Sequence, residues 1–91
     1  MGATLSGQAA VGNPELFEQL KKLRNRIATQ QKVPAYIVFA DVTLREMCQR
    51  LPQNRQELRE ITGVGQVKLE RYGDAFLEEI TSFLKEGGPT R

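Results

Sequence analysis

Residues 57–73, Glu57 to Gly73, read ELREITGVGQVKLERYG. The stretch reads as a short helix, a tight Gly63-Val64-Gly65 turn and the start of a long helix. Val64 is apolar between two glycines, so it can plug a core while the glycines take backbone angles that other residues resist. The helix N-terminus that follows such a turn carries unpaired N–H groups, which suit a phosphate and a side-chain cap equally. Downstream, Leu69, Tyr72, Phe76, Ile80 and Phe83 recur at steps of three and four, the longest apolar stripe of the chain and the mark of a central core helix. Gly73 inside that helix costs stability, and a close helix–helix approach is the reason to expect it there. Gly87-Gly88-Pro89 stops the helix.

Upstream, the same logic places three further helical segments. Asn13-Pro14-Glu15 is a helix start, with Asn as N-cap, Pro in the first turn and Glu at the positive end of the dipole. Leu16, Leu20, Leu23 and Ile27 then form one stripe on a helix running to about Gln30. Lys22 and Arg26 lie one turn apart on its opposite face, flanked by Lys21 and Arg24. Residues 32–41, KVPAYIVFAD, have strand-like letters, but no second strand signal exists to pair with them. A short helical turn over Ala35 to Ala40 fits better, with Ile37, Val38 and Phe39 as a core plug. Tyr36 is either a core aromatic with a hydrogen-bonded hydroxyl or an exposed ring for base stacking. The next helix starts at Asp41 or Thr43, where Thr43-Leu-Arg-Glu46 matches a capping box. It buries Leu44, Met47, Cys48 and Leu51 and ends at Pro52. Asn54-Arg-Gln-Glu57 is a second, capping-box-like start, with Leu58 and Ile61 facing inward.

The expectation is an all-α protein, a compact bundle of four to five short helices over residues 13–86. Residues 1–12, uncharged and mostly small, are expected to be a flexible linker, and residues 87–91 a frayed tail.

Composition narrows the chemistry. Ninety-one residues suffice for one modest core. With no histidine and one cysteine, Cys48, the sequence offers no zinc set and no His-dependent acid–base or triad chemistry. A lone cysteine forms no intramolecular disulfide and suits a reducing cytoplasm. No cofactor is expected, no apolar run spans a bilayer, and a monomer is the expected state. The net charge is only +2, so its distribution has to decide. Residues 14–34 carry an excess of positive charge (Lys21, Lys22, Arg24, Arg26 and Lys32 against Glu15 and Glu18), and residues 74–91 an excess of negative charge.

The Gly-Val-Gly turn taken alone resembles that of helix-hairpin-helix DNA-binding motifs. The whole order is more specific: a basic helix, then VPAYIVFAD, TLREMCQRLP, a short helix and ITGVGQVKLERYGDAFLEEI. This order resembles the HRDC domain at the C-terminus of RecQ-family DNA helicases, particularly bacterial ones, over about Glu15 to Lys85. The resemblance implies a small helical accessory domain that binds single-stranded or branched DNA and tunes how an ATP-driven helicase core selects structures. Related domains occur in ribonuclease D-like exonucleases. No GxxxxGK[ST] phosphate loop occurs here, so no enzyme activity is expected of this domain alone. An aromatic at the Tyr36 position, with basic residues nearby, is associated with single-strand binding in bacterial members.

Two readings of function follow. In the first, Lys22, Arg26, Lys32, Lys68 and Arg71 attract phosphates while Tyr36 stacks on a base. In the second, an acidic face of Asp74, Glu78 and Glu79 docks on the helicase core or on another protein.

Overall fold

The structure, a computed structural model, describes residues 13–86. The expected linker and tail lie outside the described residues. Among those residues there are five helices and no strand: α1 (Pro14–Gln31), α2 (Ala35–Val38), α3 (Asp41–Arg50), α4 (Arg55–Arg59) and α5 (Gln66–Lys85). This is the all-α bundle that the apolar stripes predict.

Helix α1 begins as the Asn-Pro-Glu signal requires. Asn13 is extended, and its Oδ1 accepts from the Leu16 N–H at 3.1 Å. The helix ends at Lys32, which adopts the left-handed conformation (φ 59°), with its N–H directed at the carbonyls of Ala28 and Thr29. Glycine usually fills such a position. Leu16 and Leu20 are fully buried and Leu23 nearly so.

The plug is shorter than the sequence suggests. Helix α2 is a single turn ending at Val38, and Phe39 continues in extended conformation. Val38 and Phe39 are fully buried, whereas Ile37 is 42 % exposed, so Ile37 does not belong to the core plug. A one-turn helix cannot turn three consecutive residues inward. Phe39 meets Phe76 edge-on at 5.0 Å between ring centroids and Tyr72 at 5.9 Å.

Helix α3 starts at Asp41, with Ala40 as N-cap and no side-chain cap. The Thr43–Glu46 pair therefore does not form a capping box. Thr43 is buried, its Oγ1 donating to the Thr62 carbonyl at 2.9 Å, and Glu46 Oε1 accepts from the Thr62 N–H at 3.2 Å. Both backbone polar groups of Thr62 are thus satisfied from α3. The second capping signal holds in its N-cap half: Asn54 Oδ1 accepts from the Glu57 N–H at 2.8 Å, while Glu57 Oε1 accepts from the N–H of Gln53, one residue before the cap, at 2.9 Å.

The Gly-Val-Gly turn then delivers Val64 to the core, 5 % exposed. All five residues of the α5 stripe are buried. A Cβ at Gly73 would lie 3.5 Å from Leu58 of α4 and 2.9 Å from Leu69 of its own helix, which explains the glycine by close approach. Helix α1 packs on α2, α3 and α5, and α4 packs on α5.

The two turn glycines are not equivalent. Gly63 has φ +90°, and a Cβ there would collide with Thr43 Oγ1, whereas nothing lies within 4 Å of a Cβ at Gly65. Gly63→Ala is expected to cost at least about 2 kcal/mol, from left-handed strain plus the lost Thr43 contact. Gly65→Ala, at an N-cap, is expected to cost less than about 1 kcal/mol. Equilibrium denaturation of the two variants checks this, and equal losses would contradict it.

Candidate nucleic-acid interface

Three of the six candidate residues, Lys32, Tyr36 and Lys68, lie on or against the segment that runs from the end of α1 through α2 to Phe39, and Arg71 follows Lys68 on α5. Tyr72, in the middle of α5, donates its hydroxyl hydrogen to Gln31 Oε1 at 2.9 Å, tying α5 to the last residue of α1. Lys32 follows Gln31 directly. One turn before Tyr72, Lys68 is half-buried, with its Nζ 5.9 Å from the Phe39 ring centroid. Arg71, exposed, lies three residues beyond Lys68 on the same flank of α5. Three residues before Phe39 stands Tyr36, 66 % exposed, beside the exposed Ile37. The open alternatives for Tyr36 thus resolve to an exposed ring.

Lys22 and Arg26 are exposed as well. At 3.6 residues per turn they sit about 180° and 140° around α1 from Gln31. They form a separate outward strip rather than part of the Tyr36 cluster.

The ion pairs sort the cations. Lys21 pairs with Glu18, Arg24 with Asp41, Arg50 with Glu46 and Arg55 with Asp74. Among the described residues Lys22, Arg26, Lys32, Lys68 and Arg71 have no carboxylate partner; nor do Arg45, Arg59 and Lys85. The acidic face is less uniform than its letters suggest. Asp74 is held by Arg55 through two hydrogen bonds of 2.9 and 3.0 Å, and Glu79 is half-buried while Glu78 is exposed. A cleft of about 510 Å³ between α4 and the start of α5 is lined by Arg55, Gln56, Arg59, Glu60, Gln66 and Leu69. It mixes charges of both signs and opens on the flank of α5 away from Lys68.

One residue of this region was not legible as part of it. Arg24 is 8 % exposed, and its Nη1 donates to the Phe39 carbonyl at 3.0 Å and to Asp41 Oδ1 at 2.7 Å. Its spacing of four from both Leu20 and Ala28, two buried residues, was the only sequence signal. The Arg24 hydrogen bond holds the Asp41 carboxyl below its ordinary value of 3.8, against a smaller opposing effect of burial. Burial pushes the Cys48 thiol up to about 12, which leaves it a packing residue without nucleophilic character.

The described residues form a small helical domain that presents one exposed aromatic ring, Tyr36, and several cations without a carboxylate partner. Comparison with known proteins gives the family. The HRDC domain model matches residues 13–80, and the chain belongs to that family. It is 44 % identical over 81 residues to the ATP-dependent DNA helicase RecQ of Bacillus subtilis (strain 168), covering 89 % of this chain and 14 % of the helicase. It is 48 % identical over 66 residues to the RecQ helicase of Haemophilus influenzae, covering 72 % of this chain and 11 % of that one. Among solved structures it is similar to the D. radiodurans RecQ HRDC domain 3, with a TM-score of 0.76 and 33 % identity over 79 % of this chain and 95 % of that one. The chain therefore spans only a small part of the helicases it matches, a domain's length within a much longer protein.

The Arg24–Asp41 pair predicts a pH dependence with a definite sign. A carboxyl depressed in the folded state contributes stability above its unfolded value of 3.8 and loses it as the pH falls through the folded value. Asp41→Asn is therefore expected to lower stability by a constant amount above roughly pH 5, with the gap to the parent protein closing in acid. Urea midpoints measured across that range check it. A gap that widens in acid would contradict the assignment.

Proposed function

We propose that this chain is the accessory nucleic-acid-binding domain of a RecQ-type, ATP-dependent DNA helicase. It binds single-stranded or branched DNA weakly and sequence-independently, tuning which structures the helicase core acts on in repair and recombination. The observation that carries this reading is Tyr36: a ring 66 % exposed on a one-turn helix, with Lys32 four residues before it and Lys68 against the Phe39 ring three residues after it. Large aromatics in a fold this small are normally spent on the core, as Phe39, Tyr72 and Phe76 are. An exposed ring stacks on unpaired bases, a contribution of about 1–3 kcal/mol that a paired duplex does not offer. Ile37, exposed beside it, extends the apolar surface available to a base. Lys32, Lys68 and Arg71 supply phosphate contacts, and Lys22 and Arg26 add a second strip for the backbone to follow. The mild net charge of +2 fits weak rather than tight binding.

A second reading is docking on the helicase core or on a partner protein. The exposed apolar side chains Ile37 and Val42, 42 % and 55 % exposed, support it. Salt separates the two, because phosphate contacts release counterions. No DNA binding even at low salt would favour docking.

Tyr36→Ala is expected to weaken single-strand binding by roughly five- to 150-fold, the range of one stacking contact. Duplex binding and the salt slope should change little. Lys22→Ala and Arg26→Ala are expected to weaken both DNA forms and lower the single-strand salt slope by about 0.7 each. Titrations of the isolated domain at several salt concentrations check this; a Tyr36→Ala effect equal on both forms would sink the stacking role.

Lys32 supplies an independent test. A left-handed lysine is less stable there than glycine, by about 1 kcal/mol. Lys32→Gly is therefore expected to raise the melting temperature while weakening single-strand binding. Opposite signs in the two measurements mark a residue kept for its side chain, and unchanged binding would remove Lys32 from the interface.

A further inference from the structure

We propose that Arg24 is a positioning residue for single-strand binding, setting the pose of Tyr36 without itself touching DNA. The inference rests on the Tyr36 reading above. Among the described residues Arg24 is the one charged side chain that is buried, and burying a guanidinium is costly unless its partners are well placed. Both of its partners lie at one junction. The Phe39 carbonyl, at 3.0 Å, and Asp41 Oδ1, at 2.7 Å, flank Ala40 in the two-residue junction Phe39-Ala40 between α2 and α3. Both bonds come from one nitrogen, Nη1, while Nε is buried without any partner, so the guanidinium is oriented for that junction at the expense of its Nε donor.

Helix α2 has little to hold it in place by itself. It is one turn long, its N-cap is Pro34, and no side chain caps it. A single turn is far below the length at which a helix is stable alone, so its orientation comes from its neighbours. The Phe39 ring fixes how far α2 leans toward α5. Arg24 fixes the backbone carbonyl of the same residue, and hence the rotation of the turn three residues upstream that carries Tyr36. Lysine can keep the charge but carries its ammonium on a flexible unbranched stem in place of a rigid planar guanidinium, so it should hold the junction less firmly.

The test is a double-mutant cycle on the isolated domain, which the resolved core shows as one packed bundle. Arg24→Lys, Tyr36→Ala and the double variant are titrated with a short oligothymidylate and with a duplex of the same length. Arg24→Lys is expected to weaken oligothymidylate binding roughly three- to tenfold, a share of the stacking contribution, with duplex binding within about twofold. In the Tyr36→Ala background the same substitution should have no further effect, because no ring is left to position. A merely structural role would act in both backgrounds and on both DNA forms. If Tyr36→Ala leaves oligothymidylate binding unchanged, the stacking reading fails and this inference fails with it. If Tyr36→Ala weakens binding while Arg24→Lys does not, or if the two effects add, the stacking reading stands and the role of Arg24 is overturned. Should Arg24→Lys lose its helical circular dichroism at the assay temperature, Asp41→Ala takes its place in the cycle. Its side chain is about half exposed, and the same non-additivity with Tyr36→Ala is expected; additivity overturns the inference.

Discussion

The Phe39 ring is the contact on which the arrangement of this domain depends. It stands edge-on to both Tyr72 and Phe76, a geometry that adds about 0.5–1.5 kcal/mol per pair beyond the area buried. The segment that carries it is too short to hold a conformation alone, so the ring acts as its anchor. Once Phe39 is seated, Val38 follows it inward, and Tyr36 and Ile37 are left outside. Tyr72 then meets Gln31 at the end of α1, and Lys68 comes to rest with its Nζ over the buried Phe39 ring. A core contact thus decides which aromatic is available at the surface.

The two long helices were legible because their signals are redundant. Helix α1 has a cap, a proline and four apolar positions that agree, and α5 has five apolar positions over about four turns. Where only one local pattern was available, it held at Asn54 but misled elsewhere. Thr43 and Glu46 carry the letters of a capping box, but both are engaged by Thr62, a partner sixteen or more residues away. Nothing local reports such a partner. Ile37 sits among apolar neighbours in a stretch too short for any period to show, so its side of the turn was invisible. Arg24 was hidden for a third reason: a charged letter in a basic run reads as solvated, and the Phe39 carbonyl that makes its burial tolerable is a backbone group, which no sequence pattern displays.

The candidate interface shows the same division. The sequence named the cations and the ring but related them by chain proximity, which is a poor guide on a helix. Lys22 and Arg26 precede Lys32 by at most ten residues yet face away from the end of α1 that meets α5. Lys68 and Arg71, far away in sequence, lie on the α5 flank that meets the segment bearing Tyr36. What joins them is the Tyr72–Gln31 hydrogen bond and the packing of Phe39, both contacts between distant segments. The family resemblance, by contrast, was readable because it rests on the order of several motifs, and order survives in a linear string.

The contrast between Tyr36 and Tyr72 also makes the molecule its own optical probe. The chain has two tyrosines and no tryptophan, so its ultraviolet emission comes from two rings in opposite environments. Tyr72 is shielded from collisional quenchers and bonded to a carboxamide, whereas Tyr36 faces solvent. A soluble quencher therefore addresses one ring and spares the other, and under the proposed function a base stacked on Tyr36 would darken only that contribution. Occupancy of the surface can be followed by light without a label, in a protein whose remaining emission reports whether the core beneath it is intact.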